Sequence, residues 1–155
     1  MRYVADSSLI IRLYLRSAET ESIERFLEEG EKTLGISDLA RIEVLNVLFR
    51  EKPCADQFLS DLREKRRFRF ESVDWTDAFQ RAESLARRFS SILNPGGHDL
   101  VLVAAAAAAG ASYFLSFDKN SNQRVLAAAA GLKVWPILDK NEKGLLKHAI
   151  QHSVG

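Results

Sequence analysis

The chain is predicted to fold as an α/β domain, a three-layer α/β/α sandwich around a mainly parallel sheet. Two observations carry this. Short β-branched and aromatic runs alternate with stretches of helical periodicity along the whole sequence, the pattern of strands joined by crossover helices. Helix start and stop residues also stand at the junctions, with Ser37 and Asp74 at starts and Gly30 and Gly131 at ends. A length of 155 residues suits one domain with a sizeable core.

Arg2 to Asp6 reads as a strand, and Ser7-Ser8 leads into a helix from Leu9 to Leu15. Glu19 to Glu29 is an acidic helix with Ile23, Phe26 and Leu27 on one face, stopped by Gly30. Thr33 to Ile36 is a strand, and Ser37 caps a helix reaching Arg50. Pro53 opens the next helix in its first turn, which ends in the charged run Arg63 to Arg67. Phe68 to Val73 alternates as a strand, and Asp74 caps a helix from Trp75 to about Ser90. Asn94-Pro95-Gly96-Gly97 is a turn. Helix Asp99 to Ala109, strand Ser112 to Phe117, helix Ser121 to Ala130, strand Leu132 to Trp135 and a polar helix from Asp139 complete the chain. The alanine runs Ala104 to Ala109 and Ala127 to Ala130 are close-packing helix faces, and Trp75 and Trp135 are assigned to the core. The domain is drawn over residues 1–138, with 139–155 as a tail helix packed on it or extending it.

Hydrophobic residues make up 46% and charged residues 28%, which argues against disorder. With 22 Lys and Arg against 21 Asp and Glu the net charge is +1, so attraction for a polyanion must come from local patches. Cys54 is the single cysteine, which excludes an internal disulfide and a zinc site of cysteine type. Asp6 interrupts the region where a secretory signal needs its apolar run, and Leu100 to Phe117 is split by Gly110 into helix and strand. The expectation is a cytoplasmic protein without a membrane span.

Four carboxylates adjoin apolar stretches: Asp6, Glu43, Asp99 and Asp118. An unpaired buried carboxylate costs several kcal/mol, so acids recurring at the ends of core elements point to a shared divalent cation. Asp6 and Asp118 fall at the carboxyl ends of predicted strands, where ligands sit in such sheets. Glu43 shares a polar stripe with Asn46 and Arg50 on a helix otherwise so apolar that it is expected to be largely buried. Asp99 precedes ten residues without a polar side chain and gains from the helix N-terminal partial charge. Each acid has an alternative reading. Asp6, Asp99 and Asp118 are each placed as helix-capping or turn aspartates, and Glu43 suits a solvated helix face.

Taken in order, Tyr3-Val4-Ala5-Asp6-Ser7-Ser8, Ser37-Asp38-Leu39-Ala40-Arg41-Ile42-Glu43, His98-Asp99 before an apolar helix, and Phe114-Leu115-Ser116-Phe117-Asp118 followed by Gly131-Leu132-Lys133-Val134 resemble a PIN domain over about residues 2 to 136. The resemblance implies metal-dependent RNA cleavage by the toxin of a VapBC-type toxin–antitoxin pair. It also implies an antitoxin partner covering the active site. Carried over by position, it assigns Asp6, Glu43, Asp99 and Asp118 to the metal site and Ser8 and Ser116 to hydroxyl positions beside it.

Hard oxygen donors suit Mg²⁺ or Mn²⁺, and without metal such acids would repel one another and some would hold protons. Arg12, Arg41, Lys119 and Arg124 lie near the acids in sequence and are the candidate phosphate contacts. The run Arg63, Lys65, Arg66, Arg67 and Arg69, interleaved with Phe68 and Phe70, is the second choice. His98 and the pair His148 and His152 are assigned no role. Leu13, Tyr14, Phe26 and Phe58 are the expected homodimer face. A haloacid-dehalogenase-like phosphatase would need a second aspartate two residues after Asp6, where Ser8 stands. A non-catalytic PIN-fold module that binds RNA or protein is the remaining rival.

Overall fold

The computed structural model describes residues 1–153; the last two residues of the expected tail helix lie outside the described residues. The elements alternate as expected: β1 (Tyr3–Ala5), α1 (Ser7–Tyr14), α2 (Thr20–Glu28), β2 (Leu34–Ile36), α3 (Asp38–Leu48), α4 (Lys52–Glu64), β3 (Phe68–Phe70), α5 (Trp75–Leu93), α6 (Gly97–Ala108), β4 (Tyr113–Leu115), α7 (Gln123–Ala129), β5 (Lys133–Trp135) and α8 (Lys140–His152). The five strands form one sheet in the order β3-β2-β1-β4-β5, with every pair parallel.

Successive side chains of a strand face opposite ways, and the core divides accordingly. Ala5, Leu34, Ile36, Phe68 and Leu115 meet residues of α1 to α4 on one face, including Leu9, Ile23, Val44 and Phe58. Val4 and Phe114 meet α5 to α8 on the other through Phe89, Val103, Val125, Leu126 and Ala149. The alanines of α6 let it pack closely against α5, and Ala104, Ala105 and Ala106 are buried.

The strands are shorter than their sequence runs because polar side chains at their ends bond the backbone of the segment that follows. Asp6 turns into α1 as its N-cap and Ser116 ends β4. Ser37, Asp74 and Asp139 cap α3, α5 and α8 through bonds to the backbone of Ala40, Asp77 and Glu142. Helix α5 runs three residues beyond Ser90 because Leu93 is still buried, and it stops at Asn94 in the left-handed conformation.

Three packing expectations are corrected. Ile42 and Phe49 of α3 are 59% and 58% exposed, so that helix shows an apolar outer face as well as a buried one. Phe58 lies wholly within the core, edge-on to Tyr14 and Phe68, and offers no surface for a second copy. Trp75 is only half-buried and outside the core, whereas Trp135, also half-buried, packs on the core's edge and stacks on Phe26 at 4.1 Å between ring centroids. Among the described residues no helix is long and apolar enough to cross a membrane.

The sheet order reverses between β1 and β4. Strand β1 connects outward to β2, whereas β4 lies on its other side, so the connections leaving these two strands part and open a crevice at their carboxyl ends. The register pairs Ala5 with Leu115, and the Asp6 N–H bonds to the Leu115 carbonyl at 3.0 Å. Asp6 and Ser116, the next residues on each strand, therefore enter the crevice side by side.

Candidate active site

Asp6 is 2% exposed and stands at the carboxyl end of β1, at this crevice. Its Oδ1 accepts from the Ser8 hydroxyl at 2.7 Å and from the Leu9 N–H at 3.3 Å. Its Oδ2 accepts from the Ser116 hydroxyl at 2.8 Å. The capping alternative and the site position are thus both realised, since one carboxylate starts α1 and lines the crevice. Burial pushes its pKa from 3.8 up to about 6, against the pull of the Ser8 and Ser116 hydroxyls and the Leu9 N–H; the charge of Asp118 adds to the rise. Ser8 also accepts the Phe117 N–H at 3.0 Å, tying α1 to the segment after β4.

Ser116 is fully buried and carries one hydroxyl hydrogen between two acceptors, Asp6 Oδ2 and Gln123 Oε1, the latter at 2.9 Å. It also accepts the Asp118 N–H at 3.0 Å. Gln123, 1% exposed, donates through Nε2 to Asp99 Oδ1 at 3.1 Å. Asp99 is 2% exposed and stands three residues after the Gly96 cap of α6; its Oδ2 accepts the Gly96 N–H at 3.1 Å. It holds the helix start from within the first turn, so the reading of Asp99 as the cap itself gives way.

Glu43 is half-buried on α3, and its Oε1 is shielded from solvent without a hydrogen-bond partner. Burial raises its pKa, His98 and Ser7 oppose the rise, and the charges of Asp99 and Asp118 add to it. Asp118 is half-buried and closes a turn, accepting from the Asn120 N–H at 3.0 Å and the Ser121 hydroxyl at 3.1 Å. Asp6 feels Asp118, and Glu43 feels both Asp99 and Asp118, so the four acids share one electrostatic environment. Among the described residues, however, no three acids, histidines or cysteines gather closely enough to form a metal-binding cluster. The carboxylates adjoin one another without converging on a point.

The basic residues separate into two kinds. Arg124 is corrected: it is 1% exposed and turned inward, donating to the carbonyls of Ser116, Pro136 and Ile137 and to the Glu142 carboxylate at 2.9 Å. It binds the end of β4 to the start of α8, and its burial keeps it from a phosphate. Arg12, Arg41 and Lys119 remain at least partly accessible. Arg12 reaches the Ser8 carbonyl, pairs with Glu19 at 3.6 Å and lies over the Phe117 ring. Lys119 pairs with Asp139 at 3.0 Å. Arg41 lies over the Phe70 ring, and its Nε is buried without a partner. Arg69 bonds the buried Glu71, while Arg63, Lys65 and Arg66 are exposed.

Gln123 was missed in the sequence. The available signal was its place with Arg124 at the start of a helix that continues as Val125-Leu126 and four alanines, where the first polar residues are carried inside with the apolar face.

The donors at this crevice fit a hard divalent cation in kind. They are all oxygens, Asp6 and Asp99 are buried, and the orphaned Glu43 Oε1 lacks the partner that a buried oxygen requires.

A sequence profile of the family described as PIN domain matches residues 3–129. The chain belongs to the PIN domain family. Its fold is shared with VapC20 of Mycobacterium tuberculosis, described as a sarcin-ricin loop cleaving toxin: TM-score 0.62 and 20% identity, over 84% of this chain and 95% of that one. It is shared also with VapBC2 of Rickettsia felis, bound to a DNA fragment from its promoter: TM-score 0.60 and 14% identity, over 90% and 100% of the two chains. A toxin–antitoxin complex from Klebsiella pneumoniae matches with TM-score 0.55 and 15% identity over 77% and 88%. No curated protein sequence matches the chain significantly.

Proposed function

We propose that this PIN domain is a metal-dependent endoribonuclease, the toxin of a type II toxin–antitoxin pair acting in the cytoplasm. The observation that carries the reading is the buried Asp6 carboxylate at the switch point of the sheet, linked through Ser116 and Gln123 to Asp99 and placed within reach of the charges of Asp118 and Glu43. The solved VapC20, VapBC2 and toxin–antitoxin structures that share the fold support it.

Asp6 and Asp99 are the tightest ligands in this reading, and Asp118 completes the set. Mg²⁺ or Mn²⁺ bound there would make a water more acidic and neutralise charge on the scissile phosphate. In this reading Glu43 orients that water and accepts its proton, a role supported by an Oε1 that has no partner of its own. The Ser8 and Ser116 hydroxyls hold Asp6 in its ligating rotamer. Arg12, Arg41 and Lys119 contact RNA phosphates. Residues 1–138 carry the nuclease, and the tail from 139 is fastened to it through Arg124 and Glu142. An antitoxin and a second copy of the chain are the protein partners, with the exposed Ile42, Phe49 and Phe79 as the apolar side chains available to them.

One observation favours the alternative of a non-catalytic module that binds RNA or protein, namely the absence, among the described residues, of three acids at clustering distance. Expression in a bacterial host separates the two. The nuclease reading predicts growth arrest that an Asp6→Asn, Asp99→Asn double variant, expressed to the same level, does not cause. Equal effects of the two proteins would favour the binding module.

A further inference from the structure

We infer that Gln123 is a positioning residue for the metal site: its side-chain amide fixes the Asp99 carboxylate relative to Asp6 and thereby sets the affinity for a divalent cation. The inference rests on the metal-site reading above and adds to it a residue that is neither acid nor hydroxyl.

The geometry leaves the amide little choice. Gln123 is the first residue of α7, follows Asn122 in the left-handed conformation, and is buried. A buried amide without partners is costly, yet both ends of this one are engaged. Its Oε1 receives the Ser116 hydroxyl at 2.9 Å and its Nε2 donates to Asp99 Oδ1 at 3.1 Å. The reversed amide would turn Oε1 toward the Asp99 carboxylate, acceptor against acceptor. The amide is therefore polarised in one sense by its neighbours.

Asp99 is consequently gripped at both oxygens, Oδ1 by Gln123 and Oδ2 by the Gly96 N–H. Each oxygen keeps lone-pair capacity for a cation, while the carboxylate plane is fixed by α7 on one side and the α6 start on the other. Ser116 shares its one hydroxyl hydrogen between Gln123 and Asp6, so the relay Asp6–Ser116–Gln123–Asp99 joins acids from two distant segments of chain through two neutral side chains. Such outer partners characteristically alter metal affinity by about 10- to 100-fold when removed. A residue that served packing alone would change the fold's stability and leave the affinity of the surviving protein as it was.

The test uses the full chain, with Gln123→Met to keep the volume and remove both bonds, and Gln123→Ala in case the methionine disturbs α7. Mn²⁺ is titrated into metal-free protein by calorimetry, alongside thermal melts without metal and RNA cleavage across a Mn²⁺ series. The expected result is a Mn²⁺ Kd about 10- to 100-fold weaker in the variants, with cleavage lost at low Mn²⁺ and recovered at saturating Mn²⁺. A Kd within twofold of wild type in a folded variant overturns the role of Gln123 and leaves the nuclease reading in place. Failure of the wild-type chain itself to take up Mn²⁺ overturns both.

Discussion

Replacing Asp6 by asparagine is expected to stabilise the metal-free protein at pH 7.5 while abolishing the proposed nuclease activity. A rise in pKa from 3.8 to about 6 means that the folded state holds this proton more tightly than the unfolded chain. Between those values the folded protein binds more protons, so stability falls as pH rises through the window. At 1.36 kcal/mol per pKa unit, the ionised carboxylate costs the fold about 3 kcal/mol at pH 7.5 and about 1 kcal/mol at pH 4.5. An amide at this position avoids that cost and suits the network. Its oxygen keeps the Ser8 and Leu9 donors, and its NH₂ donates to Ser116, whose hydrogen then goes to Gln123 Oε1. Allowing for imperfect reorientation, Asp6→Asn should gain about 2 kcal/mol at pH 7.5. For a chain of this size that is a Tm higher by about 4–8 °C. Thermal melts in chelator from pH 4.5 to 7.5 provide the assay, and the gap between variant and wild type should shrink toward the acid end. Mn²⁺ should raise the wild-type Tm and leave the variant's unchanged. A variant no more stable than wild type at pH 7.5, or a gap independent of pH, would refute the reasoning.

Arg124→Met leaves the buried side of Glu142 and three carbonyls without their donor and should cost about 3–5 kcal/mol in urea denaturation; a loss below 1 kcal/mol would show that the ion pair is dispensable. Gly35→Ala would set a Cβ 2.8 Å from Glu71 Cδ, forcing the buried carboxylate off Arg69, and should cost about 1–3 kcal/mol. Adding Glu71→Ala should recover part of that loss, and strict additivity of the two would argue against the overlap. If Arg41 contacts a phosphate, Arg41→Gln should flatten the dependence of log K on log salt for single-stranded RNA by about 0.7, whereas an unaltered slope would place Arg41 outside the interface.

Much of the architecture could be read from the chain because local signals agreed with the global fold. Ser37 and Asp74 cap helices in the structure as they do in the sequence pattern, and the alternation of elements produces the parallel sheet. Strand ends were less legible, because Asp6 and Ser116 look like continuations of apolar runs until their side chains are seen to bond the neighbouring segment. The burial of Phe58 and the exposure of Ile42 and Phe49 depend on how helices sit on the sheet, which periodicity alone does not specify. Arg124 misled for a related reason. Nearness in sequence to Asp118 suggested a phosphate contact, whereas the helix turn directs its guanidinium to the chain passing behind, at Pro136, Ile137 and Glu142. Gln123 escaped notice because a lone glutamine carries no chemistry until its two partners, seven and twenty-four residues upstream, are brought to either end of its amide.

The most direct measurement is cleavage of a mixed RNA pool by the purified chain in Mg²⁺, Mn²⁺ or chelator, with the product ends analysed. Water activated at a metal site predicts cleavage that requires metal, is lost in Asp6→Asn, and leaves no 2′,3′-cyclic phosphate. Cleavage that persists in chelator, or cyclic phosphate ends in every metal, would contradict the account.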